Sequence, residues 1–202
     1  MRSKSNNFKQ INLPVFFGLS HLGQVFSLCW SKKIGNCYAY DNDKRLLNSF
    51  KEKKYTLEEP KLNKLKLNKI KFQKKFKEIK NFKYIFFTHD TPLKPKNGKP
   101  ELNLIYKNLK KILSLKFQTK TYLIISSQIN PELMKNIKKK INIDKNIKIF
   151  YLVDTLKMGE SLDKFLNPNQ IIIGGEKREK KNIFKLFKKF KSKKFYISLD
   201  EA

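Results

Sequence analysis

Apolar and polar positions divide the chain into short apolar runs separated by longer, lysine-rich segments. The runs are rich in β-branched and aromatic residues, and several are apolar throughout instead of alternating with polar residues. Continuous apolar runs are typical of strands in a parallel sheet that is covered on both faces. Strands are predicted at 13–17, 37–41, 69–72, 84–88, 122–126, 147–153, 171–174 and 195–198.

The segments between these runs have helical length and, in places, helical spacing. Leu102, Ile105, Leu109 and Ile112 lie three or four residues apart, which predicts one apolar stripe on a helix. Repeated strand–helix units predict an α/β fold with a doubly wound, mostly parallel sheet and helices on both faces. We expect one domain over residues 1–202, with 1–12 as an N-terminal extension. Helices are predicted at 21–33, 43–51, 62–67, 102–115, 132–140 and 180–191.

The composition is that of a folded protein with no membrane segment. Hydrophobic residues make up 40% of the 202 positions, which is enough to bury a core, and no apolar run approaches the roughly 20 residues of a membrane span. The first apolar run is too short for a signal peptide, so a cytoplasmic protein is predicted. Cys29 and Cys37 lack metal-ligand spacing and are predicted to be reduced packing residues, with no metal site.

The chain is strongly basic, with 46 lysines and arginines against 17 acidic residues and a formal charge of +29. Only Arg2, Arg45 and Arg178 are arginines, whereas recognition of bases and phosphates usually favours the planar guanidinium group. Abundant Lys, Asn and Ile indicate a bias toward A- and T-rich codons. We therefore expect non-specific attraction to nucleic acid at low salt, with dedicated nucleic-acid binding as an alternative.

A glycine-containing turn follows the first predicted strand and opens the first predicted helix. It reads G-x-S-x-x-G, one residue away from the dinucleotide-binding fingerprint. Asp41 ends the second strand about 20 residues further on, where a carboxylate binds ribose hydroxyls and favours NAD over NADP, although Lys44 and Arg45 soften that preference. The NAD-binding turn is predicted to be Gly18-Leu19-Ser20-His21-Leu22-Gly23, in which His21 either contacts the diphosphate or caps the helix.

Six further segments follow the turn in order: Glu59-Pro60-Lys61-Leu62, Asp90-Thr91-Pro92-Leu93, Asn97-Gly98-Lys99-Pro100-Glu101-Leu102, Ser126-Ser127-Gln128-Ile129-Asn130-Pro131, Leu156-Lys157-Met158-Gly159 and residues 163–174. In the same order they resemble the motifs E-P-G-L, G-T-P, d-G-x-x-D-L, S-T-V-P-P, L-r-E-G and D-F-x-x-P-D-R-I-V-I-G of the UDP-glucose/GDP-mannose dehydrogenase family. The resemblance covers nearly the whole chain and implies a Rossmann-like fold that binds NAD.

The resemblance also implies a reaction and roles for individual residues. Members of this family oxidise the C6 alcohol of a nucleotide sugar to a carboxylate, reduce two NAD, and hold the intermediate aldehyde on a cysteine. Asp154 stands where the family's N-P-E-x-L motif has a glutamate, which makes it the candidate catalytic residue. The glycine turn and Asp41 would bind NAD, Thr91, Ser127 and Gln128 would line its nicotinamide side, and Asp154, Thr155, Leu156 and Lys157 would approach the nucleotide sugar.

Departures from the family pattern bear on activity. Ser20 and Asp90 stand in place of glycines, and Met158 stands in place of a glutamate. The family's K-x-x-x-N helix and the cysteine of its G-x-C-x-P-K-D segment have no counterpart in the 202 residues. We therefore expect the N-terminal part of a split or truncated nucleotide-sugar 6-dehydrogenase, inactive without its missing half, for which a separate chain is a candidate partner. The alternatives are a non-catalytic module that binds NAD or a nucleotide sugar, and a basic nucleic-acid-binding protein.

Overall fold

The strands form one eight-stranded sheet in a computed structural model that describes residues 9–130, 132, 133, 139, 142–199 and 201. All eight predicted strands are confirmed, with ends that differ by at most two residues. The strands are β1 (Ile11–Phe17), β2 (Cys37–Tyr40), β3 (Ile70–Phe72), β4 (Phe82–Phe87), β5 (Thr121–Ile125), β6 (Ile147–Leu152), β7 (Gln170–Gly174) and β8 (Lys193–Ile197).

The strand order gives the sheet its doubly wound topology. Across the sheet the order is β3-β2-β1-β4-β5-β6-β7-β8, and every neighbouring pair is parallel except β6 and β7. The chain winds from β1 to β3 in one direction and then continues from β4 on the other side of β1. This reversal leaves a crevice at the carboxyl ends of β1 and β4, which is where ligands bind in open α/β sheets. The predicted fold class is confirmed.

Helices occupy most of the predicted positions. The predicted helix at 21–33 is confirmed with the same ends, and those at 43–51 and 102–115 are confirmed in slightly shorter form. The predicted helix at 132–140 falls mainly on positions outside the described residues. A short helix at 161–166 was not predicted. The helices are α1 (His21–Lys33), α2 (Lys44–Lys51), α3 (Asn103–Leu113), α4 (Ser161–Leu166) and α5 (Lys180–Phe184).

The predicted helix at 62–67 is wrong. Only a 3₁₀ turn, Leu62–Lys64, forms there, because Lys61 before it is left-handed (φ 67°) and Leu65 after it is extended. Leu62 and Leu65 are both buried, and their spacing of three matches one 3₁₀ turn as well as one helical face. The α-helical geometry therefore does not propagate beyond the turn.

The predicted helix at 180–191 is also shorter than expected. Helix α5 ends at Phe184 and continues as a 3₁₀ turn, Lys185–Phe187. Phe184, Phe187 and Phe190 are spaced by three, which fits the three residues per turn of 3₁₀ geometry. The side chains of Phe187 and Phe190 are both buried.

Both faces of the sheet are covered, as the continuous apolar strands predict. Along β1, Phe16 packs into one core cluster with α1, whereas Val15 and Phe17 pack into a second cluster with α3. Helix α1 is itself covered on its outer side, because Phe26 meets Phe165 of α4 at a ring-centroid distance of 4.9 Å. Burial on two sides explains why α1 has no polar face over most of its length.

Cys29 and Cys37 are free and fully buried, which confirms their prediction as packing residues. Burial raises the pKa of each thiol to about 12, so neither forms the thiolate that a nucleophile requires. Among the described residues, no helix combines the length and the apolarity needed to cross a bilayer. That same part of the chain contains no group of three His, Cys, Asp or Glu side chains placed to hold a metal ion.

Lys61→Gly is expected to stabilise the protein by about 0.5–1 kcal/mol, because glycine adopts the left-handed conformation without the clash of a Cβ atom. Lys61 has φ 67° and stands where the family motif has glycine. Urea unfolding measures the change. The control is Lys64→Gly inside the 3₁₀ turn, where φ is not positive and glycine should destabilise the protein. Destabilisation by Lys61→Gly would contradict the strained backbone at this position.

Candidate functional site

The glycine turn lies at the crevice between β1 and β4, and both of its glycines are sterically required. Gly18 has φ +106°, and a Cβ atom there would lie 2.7 Å from the backbone nitrogen of His89. A Cβ atom on Gly23 would lie 1.6 Å from the carbonyl oxygen of Gly18. The N–H of Gly18 donates to the carbonyl of Tyr40 over 3.0 Å, which ties the turn to β2. These contacts give the tight turn and the close helix–strand packing that the fingerprint predicts.

Asp41 supports the start of the turn from the end of β2. Its Oδ2 accepts the Leu19 N–H at 2.7 Å, and its Oδ1 accepts the Asp43 N–H at 2.7 Å. Burial raises the pKa of the Asp41 carboxyl, and these backbone hydrogen bonds offset only part of the rise. The carboxylate therefore lies beside the turn, where the sequence places a ribose-binding group.

Ser20 and Asp90 contact each other across the crevice. Ser20 is the N-cap residue of α1, but its side chain does not cap the helix; its Oγ accepts the Asp90 N–H at 2.9 Å. The Asp90 carboxylate takes the capping position instead, because its Oδ1 accepts the Leu22 N–H at 3.1 Å. Both residues that replace family glycines are therefore joined to one another and to the N-terminus of α1.

His21 pairs with Glu59 and does not cap the helix. The His21 Nε2 lies 2.8 Å from Glu59 Oε1, and both side chains are buried. Glu59 also accepts the Gly159 N–H at 3.1 Å and the Ser161 hydroxyl at 2.7 Å. Burial alone raises the pKa of Glu59, but the hydrogen bonds from Ser161, Gly159 and His21 outweigh it and lower the pKa overall. Because an ionised carboxylate only accepts, His21 donates from Nε2.

His89 lies beneath the glycine turn as a neutral side chain. Its ring packs edge-on against Phe17 and Phe87, both with ring centroids 4.7 Å away. Burial lowers its pKa to about 4, and its Nε2 lies 3.2 Å from the side-chain amide of Asn108. His89 is therefore a packed support for Gly18, although its edge reaches the crevice.

The crevice is an open cleft of about 400 Å³, which is within the size range of small-molecule sites. Residues of the predicted cofactor site and of the predicted substrate segment both line it, because the loops after β1, β4, β5 and β6 meet there. Thr91 and Gln128 are joined by a hydrogen bond of 2.6 Å from the Thr91 hydroxyl to the Gln128 carbonyl. The lining includes His21, Leu22, His89, Asp90, Thr91, Gln128, Asp154, Leu156 and Met158.

Asp154 faces this cleft just beyond β6. Its Oδ1 accepts the Leu156 N–H at 2.9 Å, which fixes the loop. Burial raises the pKa of the Asp154 carboxyl; the Leu156 hydrogen bond opposes the rise, and the nearby Asp90 charge adds to it. The candidate catalytic carboxyl and the carboxylate at α1 therefore share one electrostatic environment.

Not every predicted site residue lines the cleft: those outside its lining are Gly18, Leu19, Ser20, Gly23, Asp41, Ser127, Thr155 and Lys157. Ser127 is fully buried, and its Oγ has no hydrogen-bond partner among the residues that the structure describes. Thr155 is exposed, and Lys157 points to the surface, where its Nζ pairs with Glu160 at 2.7 Å. The structure thus brings Asp154 and Leu156 of the predicted substrate segment to the cleft, together with Thr91 and Gln128.

Sequence reasoning missed the part played by Glu59. The residue was noted only as the first position of a motif, yet its carboxylate joins α1 to the loop that precedes α4. The adjacent Glu59-Pro60 pair was the available signal, but the partners at 159 and 161 are about a hundred residues away. No local pattern identifies contacts at that separation.

The residues present fit a dinucleotide diphosphate. Gly18 and Gly23 place no side chain in the turn. The first amides of α1 lie at the crevice, at the positive end of the helix dipole. Asp41 stands beside the turn, where its Oδ2 accepts the Leu19 N–H. Two amides of the turn already have acceptors, because the Leu19 N–H donates to Asp41 and the Leu22 N–H donates to Asp90.

Comparison with known proteins agrees with this geometry. A sequence profile described as "UDP-glucose/GDP-mannose dehydrogenase family, NAD binding domain" matches residues 13–191. UDP-glucose 6-dehydrogenase of Rickettsia bellii (strain RML369-C) is 28% identical over 180 residues, which cover 84% of this chain and 40% of that protein. The enzyme of the same name from Rickettsia felis is 25% identical over 183 residues, covering 84% and 39%. The chain spans about 40% of the length of these relatives.

Solved structures share the fold. A ternary complex of GDP-mannose dehydrogenase from Pseudomonas aeruginosa superposes with a TM-score of 0.80 at 17% identity, covering 93% of this chain and 47% of that one. UDP-glucose dehydrogenase from Pyrobaculum islandicum superposes with a TM-score of 0.77 at 15% identity, covering 97% of this chain and 48% of that one.

The profile match extends over most of the sequence, and NAD is the cofactor of this domain. The chain therefore belongs to the UDP-glucose/GDP-mannose dehydrogenase family, whose NAD-binding domain it carries.

Proposed function

We propose that this chain binds NAD for an enzyme that oxidises the C6 alcohol of a nucleotide sugar to a carboxylate. The observation that carries the proposal is one cleft lined by His21 and Leu22 of the glycine turn and by Asp154, with Asp41 holding the start of that turn through the Leu19 N–H. The named activity of the two Rickettsia relatives supports the reaction class. Residues 1–202 would form a single NAD-binding domain, which is consistent with the single sheet.

The NAD side of the cleft comprises the glycine turn and the loops after β2, β4 and β5. The turn amides would hold the diphosphate, and Asp41 would accept hydrogen bonds from the adenosine ribose. Thr91 and Gln128, held together by their hydrogen bond, would border the nicotinamide, with Ser127 packed behind them. When bound, NAD supplies the hydride acceptor.

The substrate side is the loop that follows β6. Asp154 would orient a hydroxyl of the sugar, and its raised pKa suits a group that exchanges a proton with an alcohol. Leu156 would contact the sugar from the cleft wall, while Thr155 and Lys157 would reach the nucleotide from the surface. Oxidation of an alcohol to a carboxylate consumes one water and transfers two hydrides, so two NAD are reduced for each sugar.

The discriminating test is the choice between NAD and NADP, measured by titration calorimetry. NAD should bind about tenfold or more tightly than NADP, because a 2′-phosphate would meet the Asp41 carboxylate. Asp41→Ala should weaken the binding of NAD and reduce the difference in affinity between NAD and NADP. The ratio of the NAD and NADP affinities is the critical readout. Loss of the hydrogen bond to Leu19 would weaken the binding of both cofactors alike and leave that ratio unchanged.

Asp41→Asn is the matched control, because it keeps an acceptor for Leu19 but removes the charge. It should lower the ratio of NAD affinity to NADP affinity, and the protein should remain more stable than the alanine variant. Arg45 already pairs with Asp43, so it is not held at the ribose position. Equal or tighter binding of NADP by the unaltered chain would contradict the role of Asp41.

Two alternatives are separated by their ligands. A non-catalytic module would bind NAD or a nucleotide sugar but support no turnover when supplied with the remainder of a family enzyme. A dedicated nucleic-acid-binding protein would remain bound to DNA near physiological salt. We propose instead that the +29 charge gives only non-specific binding, which weakens as the salt concentration rises.

We also propose that the protein works in the cytoplasm with a partner segment. Its two cysteines are free and buried, as expected where thiols stay reduced. The relatives are more than twice as long as the part they share with this chain, so the remainder of the enzyme would come from a further segment or a separate chain.

A further inference from the structure

A carboxylate from a neighbouring loop caps the helix that should receive the NAD diphosphate. Helix α1 has 13 residues, and its N-cap residue Ser20 makes no side-chain capping bond. Asp90, from the loop after β4, provides the acceptor: its Oδ1 lies 3.1 Å from the Leu22 nitrogen. The Asp90 N–H in turn donates to Ser20 Oγ at 2.9 Å. An internal anion thus lies at the positive end of α1.

A diphosphate and this carboxylate require the same donors. Helix N-termini bind anions because their first N–H groups lack partners within the helix and the helix dipole favours negative charge. In this turn the Leu19 N–H is taken by Asp41 and the Leu22 N–H by Asp90. Two carboxylates therefore already satisfy amides of the turn.

The two carboxylates are held differently. Asp41 is 6% exposed, and backbone amides hold both of its oxygens. Asp90 is only half-buried and lines the open cleft, so its side chain has room to rotate away from Leu22. Asp90 is therefore the displaceable anion of the pair.

We propose that Asp90 is an internal competitor of the NAD diphosphate, so that NAD binds only when the Asp90 carboxylate leaves the N-terminus of α1. This inference rests on the NAD binding proposed above. A glycine at this position, as in the family's G-T-P motif, could not make the contact, so the device belongs to this chain. Its effect is a lower affinity for every ligand that presents a diphosphate to the turn.

The test is titration of NAD, ADP-ribose and adenosine into the unaltered chain, Asp90→Gly and Asp90→Asn, followed by NMR and calorimetry. Asp90→Gly should bind NAD and ADP-ribose at least about tenfold more tightly, the equivalent of about 1.4 kcal/mol. Asp90→Asn should gain less, because its amide oxygen still accepts from Leu22. Adenosine has no diphosphate and should bind all three proteins equally. Asp163→Asn, at an exposed position of α4, is the charge-matched control, and it should leave all three affinities unchanged.

The contact itself has a separate readout. In the ligand-free chain the Leu22 amide should resonate downfield and exchange slowly, and Asp90→Gly should remove both features. Equal NAD affinity in the unaltered chain and Asp90→Gly would overturn the competition but leave NAD binding intact. An equal gain for adenosine would also overturn it, because the effect would not involve the diphosphate. Failure of every variant, Asp90→Gly included, to bind NAD would overturn both this inference and the proposed function.

Discussion

Gly23→Ala is expected to destabilise the protein by about 3 kcal/mol or more, since the added methyl group has no space and its nearest neighbours are backbone atoms. The Cβ atom would lie 1.6 Å from the carbonyl oxygen of Gly18, 2.7 Å from its carbonyl carbon and 2.9 Å from Thr88 Oγ1. Helix α1 would have to move away from β1, which would open the turn. Urea unfolding measures the loss, and near-ultraviolet circular dichroism of Trp30 reports the displacement of the helix.

Gly98→Ala is the matched control for this prediction. Gly98 has φ +63°, but a Cβ atom there meets nothing within 4 Å. Only the left-handed backbone opposes the substitution, so the expected loss is about 1–2 kcal/mol. If the two alanine variants were equally stable, close packing at Gly23 would not be what fixes the turn.

Glu59→Ala is expected to destabilise the protein by about 3 kcal/mol or more, because it leaves the buried His21 ring nitrogen without an acceptor and releases the loop at Gly159. His21 Nε2 and the Gly159 N–H would lose the carboxylate, whereas the Ser161 hydroxyl also donates to the Lys157 carbonyl at 2.9 Å and keeps that bond. Chemical denaturation measures the loss. Hydrogen exchange should accelerate at Gly159 more than at residues of β5.

Glu59→Gln separates the charge of this residue from its shape. Its amide oxygen can still accept hydrogen bonds, so a smaller loss of about 1–2 kcal/mol is expected. Since hydrogen bonding lowers the pKa of Glu59, its stabilising contribution is present above the carboxyl's ordinary pKa and is lost as pH falls through the lowered value. Unchanged stability in both variants would show that Glu59 does not join α1 to the loop before α4.

The elements that follow from local pattern were predictable from the sequence. Strand β4 contains the continuous apolar run Tyr84–Phe87, whose side chains pack alternately into the two core clusters, so the run marked the strand. The ends of α1 were predictable because the glycine turn precedes it and lysines close its last turn. The fingerprint that identified Gly18 and Gly23 lies within six residues of chain, although the clash that excludes a side chain at Gly18 is with the distant His89.

The errors and omissions come from effects that local pattern does not contain. The apolar spacing at 62–67 cannot distinguish a single 3₁₀ turn from a helix, and the left-handed backbone of Lys61 decided between them. The departure of Asp90 from the family motif was evident in the sequence, but not its bond to Leu22, which is 68 residues away. Ser127 follows a strand like its neighbours, yet the fold buries it away from the cleft. Each outcome depends on tertiary contacts.

The central claim is that the turn from Gly18 to Gly23 holds the NAD diphosphate beside Asp41. Amide chemical shifts of the ¹⁵N-labelled chain during titration with NAD test it residue by residue. Saturable shifts should be largest at Leu19, Ser20, His21 and Leu22, with smaller changes beside Asp41 and Thr91, and they should persist at about 0.15 M salt, where weak surface attraction is screened. Shifts that spread over surface lysines and vanish as salt rises, with the turn unmoved, would contradict the account.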